Sequence, residues 1–98
     1  MNISDKERQL RKMTKLQLDV LYSICLSTAP LSTFDIAKAS NLKPQQLGGM
    51  LSSLTRGKGA WVLPCGRGGD RKIRWSFNDK YADRNEVKDA IESFDFYD

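Results

Sequence analysis

The chain has 98 residues, 40% of them hydrophobic and 29% charged, with a formal net charge of +4, which describes one ordinary globular core with no room for a second. It contains no histidine, and Cys25 and Cys65 have no Cys or His companion at ligand spacing, so zinc sites, the usual Ser or Cys triads and the commonest general base are excluded. No apolar run approaches the roughly 18 residues of a membrane span, and the polar start MNISDKERQLRK lacks the core of a signal peptide; the expectation is a cytoplasmic protein with no membrane partner and no favoured disulfide.

Taken in chain order, Ser4 and Glu7 have the spacing of a capping box for a short helix ending near Met13, and Thr14 with Gln17 repeats the signal. A helix follows from Lys15 to about Ser27. Leu18, Leu21, Tyr22 and Cys25 form its apolar stripe, and Leu16, Val20, Ile24 and Leu26 widen that face until little is left for solvent. Pro30 breaks the pattern, and Ser32 and Thr33 offer a cap for a short helix from about Phe34 to Ala39, with Phe34, Ile36, Ala37 and Leu42 toward the core. Asn41 suits a left-handed helix end and Pro44 a first turn. The next helix, Pro44 to about Arg56, carries Leu47, Met50, Leu51 and Leu54 on one side, and Gly57 is placed to stop it. Two short helices joined by a tight turn make a helix-turn-helix candidate.

AWVLP then reads as a strand, CGRGGD as a Gly-rich turn and RKIRWSF as a second strand, with Ile73, Trp75 and Phe77 inward and Lys72, Arg74 and Ser76 outward. A last helix, about Arg84 to Phe96, places Val87, Ala90, Ile91 and Phe94 in register and is mostly acidic elsewhere. Charge divides at the same point: residues 1–78 carry a local net of +8 and residues 79–98 a net of −4. The first part suits a polyanion and the second suits something else.

The segments TKLQLDVLYSI, LSTFDIAKASNLKPQQLGGMLSSLTRGKG and WVLPCGRGGDRKIRWSF, by the order, lengths and polarity of their elements, resemble the winged-helix superfamily of DNA-binding domains over about residues 14–78. The resemblance implies an α+β, mostly helical fold: a winged helix-turn-helix with a three-helix core and a β-hairpin wing, here with a short N-terminal helix and a C-terminal amphipathic helix, as one domain. It also implies that PLST forms a small third strand, that Gly66 to Asp70 is the tip of the wing, and that the helix from Pro44 is the recognition helix.

That helix presents Gln45, Gly49, Ser52 and Arg56 opposite its apolar stripe, with Gln46, Gly48 and Ser53 flanking and Lys43 just ahead. Gln pairs with adenine, Ser contacts bases or phosphate, and Arg does both. Two adjacent glycines inside a helix cost about 0.5–1 kcal/mol each relative to Ala. Either they let the backbone approach nucleic acid, or Gly48 permits tight helix packing and the other is tolerated, or the pair softens the helix until a ligand orders it. Around the wing, Arg56, Lys58, Arg67, Arg71, Lys72 and Arg74 face only one acid, Asp70. They suit phosphates and, for Arg67, a minor groove, although basic side chains also protect exposed strand edges. Trp61 and Trp75 fit the core better than a stacking platform, as do Tyr22 and Phe77. The expected function is sequence- or structure-specific binding of double-stranded DNA in transcription regulation, with no enzymatic activity of its own, no cofactor and no evident small-molecule ligand. A homodimer through the terminal helices would pair two recognition helices, unless the last helix instead closes the core. The alternatives are a protein-interaction or assembly module, and the DNA-recognition subunit of a larger nuclease or replication complex.

Overall fold

A computed structural model describes residues 3–55, 60–67 and 72–94. In chain order the elements are α1 (Ile3–Arg11), α2 (Lys15–Leu26), β1 (Leu31–Ser32), α3 (Thr33–Ser40), α4 (Pro44–Thr55), β2 (Val62–Arg67), β3 (Ile73–Phe77) and α5 (Arg84–Glu92). The three strands form one antiparallel sheet in the order β1-β3-β2. This is the expected winged-helix arrangement, including the two-residue strand drawn from PLST.

Local chemistry sets most boundaries. Thr14 and Gln17 form the capping box of α2: the Gln17 N–H donates to Thr14 Oγ1 at 3.2 Å and the Thr14 N–H to Gln17 Oε1 at 3.0 Å. Ser32 and Asp35 do the same for α3, and Asn41 ends it in the left-handed conformation with φ 58° and ψ 42°. Helix α1 differs from expectation, because it already starts at Ile3 and so contains Ser4 instead of being capped by it. Helix α5 stops at Glu92, short of Phe96, with Ser93 as its C-cap.

Leu18, Val20, Leu21, Ile24 and Cys25 of α2 are buried in one core with Ile36, Leu47, Leu51, Leu54, Trp61, Phe77, Val87 and Ile91. Each such aliphatic side chain contributes about 1.5–3 kcal/mol relative to exposure. Leu16 and Leu26, expected on the buried face, are instead 40% and 56% exposed at the ends of α2. Phe34 is a second correction, being 56% exposed. It lies two residues, or about 200°, from the buried Ile36, so it occupies the opposite side of α3.

In the sheet, β2 continues through Cys65 and Gly66 into the segment expected to be a turn. A register irregularity between Pro64 and Arg67 and a φ of +90° at Gly66 accommodate the extra residues. Because β3 is the central strand, its outer face is partly covered, and Arg74, expected outward, is half-buried opposite Ser32. The stripe of α5 packs against α2 and α1 of the same chain, with Val87, Ile91 and Phe94 buried. Among the described residues it closes the core.

Candidate nucleic-acid interface

Helix α4 is held by Leu47, Leu51 and Leu54, all buried, with Met50 at the margin. At 100° per residue this seat turns Gln45, Gly48, Gly49 and Ser52 outward. From Pro44 to Thr55 the helix carries no charge, and Lys43, just ahead of it, is exposed. Both glycines are exposed, and a Cβ added at either would meet no atom within 4 Å. The packing explanation for Gly48 therefore fails among the described residues, since none of their helices approaches it.

The polar side chains of this face divide into two pairs. Gln46 Oε1 accepts the Lys43 N–H at 3.0 Å, which uses its carbonyl as a helix cap. The Ser53 hydroxyl donates to the Met50 carbonyl at 2.8 Å and accepts from Gln17 Nε2 at 3.3 Å, tying α4 to α2. Gln45 and Ser52, by contrast, make no side-chain hydrogen bond to another described residue. Sequence spacing placed all four on one surface but could not show that two of them are already engaged.

The hairpin is fixed at a set position beside α4. The Trp61 N–H donates to the Leu54 carbonyl at 2.8 Å, joining the base of β2 to the last turn of α4, and the Asn78 N–H donates to the Trp61 carbonyl at 2.9 Å. Trp61 is buried and meets Tyr81 edge-on at 4.9 Å, so it is a core residue as expected. Arg67 closes β2 opposite Ile73. Lys72 is exposed just before β3, with its Nζ 4.1 Å from the centre of the Phe34 ring. That contact makes Phe34 a neighbour of the basic hairpin, which the sequence reading missed; its position opposite Ile36 was the available signal. Arg56, Lys58, Arg71 and the loop from Gly68 to Asp70 lie outside the described residues.

Among the described residues, the two groups with displaced titration lie elsewhere. Burial pushes the Cys25 thiol up to about 12, while nearby Arg84 acts in the opposite sense. The Tyr22 hydroxyl is raised by donating to Glu92, then by partial burial and the negative charge of Glu92. Neither residue is on the outward face of α4 or in the hairpin.

No protein-family model matches the chain, and no curated protein matches it. Solved structures do. The disulfide form of AbfR superposes with a TM-score of 0.68 at 22% identity, covering 93% of this chain and 62% of that one. The DNA complex of Staphylococcus aureus MepR gives 0.67 at 17% identity, covering 92% and 70%. NadR bound to 4-hydroxyphenylacetate gives 0.67 at 16% identity, covering 90% and 62%. The chain thus spans less than two thirds of AbfR and of NadR. At these identities the likeness establishes the winged-helix fold.

Proposed function

We propose that the chain binds double-stranded DNA as part of a transcription regulator, with α4 in the major groove and the hairpin against the adjoining backbone or minor groove. The observation that carries this is the outward face of α4, where a Cβ added at either of two adjacent glycines would meet no described atom outside the helix's own neighbouring backbone within 4 Å. Among the described residues no internal packing accounts for them, and each lowers helix stability by about 0.5–1 kcal/mol relative to Ala. A duplex supplies the missing neighbour, because the absent side chains let the helix backbone approach base edges and phosphates. Gln45 and Ser52, unengaged beside them, are the candidates for base contacts.

In this reading Lys43 contacts phosphate, and so do Lys72 and the hairpin residues Arg67 and Arg71. Gln46 retains its amide N–H₂ as a donor while its carbonyl caps the helix, and Ser53 acts chiefly in seating α4. MepR, similar in fold, has been solved with DNA, which favours this use of the fold over the assembly-module alternative. A homodimer would set two α4 helices about 34–36 Å apart on two half-sites. The terminal helices α1 and α5 are the candidate surfaces for such a dimer, beside the stripe that α5 packs within its own chain.

The test is a fluorescence-anisotropy titration of labelled random duplex and single-stranded DNA at several salt concentrations. Preference for duplex is expected, with affinity falling steeply as salt rises. Lys72→Ala should flatten the log–log salt slope by about one. Absence of duplex binding at low salt would overturn the reading and leave the protein-interaction module in its place.

A further inference from the structure

The hairpin is anchored to the helix-turn-helix at two places. At the base of β2 the Trp61 N–H donates to the Leu54 carbonyl of α4. At the start of β3 the anchor is a cation over a ring: Lys72 Nζ stands 4.1 Å from the centre of the ring of Phe34, which belongs to the first turn of α3.

The strand register brings these two residues together. In the antiparallel pair of β1 and β3, Leu31 lies opposite Trp75 and Ser32 opposite Arg74. Continuing that pairing by two residues sets Phe34 level with Lys72, on the face that Ser32 and Arg74 share. Ser32 is buried and Arg74 half-buried, whereas Phe34 and Lys72 are both exposed, so the pair sits where the hairpin leaves the core. A phenylalanine placed there gains little from burial. What it offers is the face of its ring to an ammonium group.

Lysine has a flexible four-carbon stem, and confining it against a phosphate costs side-chain entropy. A ring that already holds the ammonium has met part of that cost before a duplex arrives. An ammonium with one side on a ring keeps donors on its other sides for a phosphate oxygen. Because α3 also packs against α4, a lysine held by α3 is placed relative to the helix that carries Gln45 and Ser52.

We propose that Phe34 is a positioning residue for nucleic acid: its ring holds Lys72 at a set place beside α4, ready for a backbone phosphate. The proposal rests on the DNA-binding reading and adds α3 to the interface. Phe34 is not the only group that acts on Lys72, so its share is that of one exposed cation–π contact, a factor of about two to five in affinity.

The experiment titrates labelled random duplex, by fluorescence anisotropy at low salt, with the whole chain, Phe34→Leu, Phe34→Tyr, Lys72→Ala and the double variant Phe34→Leu with Lys72→Ala. Phe34 lies outside the buried core, so the variants retain the fold, which circular dichroism checks. Phe34→Leu should bind about two- to fivefold more weakly and Phe34→Tyr as the original does. With Ala at position 72, Phe34→Leu should change nothing further. In the original chain without DNA, NMR should find the Lys72 ε-methylene protons moved upfield by the ring, a readout that depends on no variant. Those protons at the ordinary lysine position would overturn the proposal. So would Phe34→Leu binding as the original does, or weakening binding equally when position 72 is Ala. Absence of duplex binding by the original chain would remove the DNA-binding reading and this role with it, whereas duplex binding indifferent to Phe34 would remove the positioning role alone.

Discussion

Helices α4 and α5 bury one apolar stripe each against the same core, yet their outer faces are built on opposite rules. Helix α5 has Asp83 as its N-cap, with the Glu86 N–H donating to the Asp83 carboxylate at 3.0 Å, and it offers Glu86, Asp89 and Glu92 to solvent. Acids near its start also suit the helix dipole. Helix α4 has no charge and two exposed glycines, and the amide carbonyl of Gln46, rather than a carboxylate, caps its start. A helix that only has to tolerate water can be optimised as α5 is. One that must admit another molecule gives up intrinsic stability, and the three buried leucines beneath it offset the loss.

That contrast can be broken most severely from below. Leu51→Ala should destabilise the chain by about 2–5 kcal/mol, because the side chain is buried and α4 has little propensity of its own. Val87→Ala should cost less, since fewer methyl groups are removed and α5 is better capped; chemical denaturation of both variants checks the order. At the next level, Asp83→Ala removes the cap of α5 and should cost about 1 kcal/mol, measurable in the same way.

A smaller effect concerns pH. Cys25 has its folded value pushed up to about 12 from 9.0, and Tyr22 is also raised above 10.0. For both, the folded chain holds its proton more tightly than the unfolded one. Stability from these groups is therefore complete below their unfolded values, 9.0 for Cys25 and 10.0 for Tyr22, and declines as pH rises above each. Denaturation followed at increasing alkaline pH should show this decline, and Cys25→Ala should shallow it. No decline above pH 9 would contradict the burial of the thiol.

Much of this arrangement is legible in the sequence because it rests on local rules. The Thr14 and Ser32 caps, the left-handed Asn41, Pro44 at a first turn and the leucine stripe of α4 each follow from residue type and spacing. The failures came where tertiary context decides. Phe34 is apolar but sits on the wrong side of α3, and Leu16 and Leu26 lie at helix ends where the core no longer reaches. The continuation of β2 through Gly66 depends on pairing with β3, and the covering of Arg74 depends on neighbours on both sides of a central strand. At the interface, spacing identified the outward face of α4 correctly, but only coordinates separate Gln45 and Ser52 from Gln46 and Ser53, whose polar groups are already bonded. The glycine pair was ambiguous for the same reason: whether a neighbour fills the space beside it is invisible in one dimension.

The double variant Gly48→Ala with Gly49→Ala tests the central claim most directly, by thermal denaturation of the free chain together with duplex binding by anisotropy. Two added methyl groups that meet no described atom beyond their own helix should raise stability by about 1–2 kcal/mol while duplex affinity falls. A variant that is more stable and binds duplex as well as the original would contradict the claim that the outward face of α4 is kept bare for DNA.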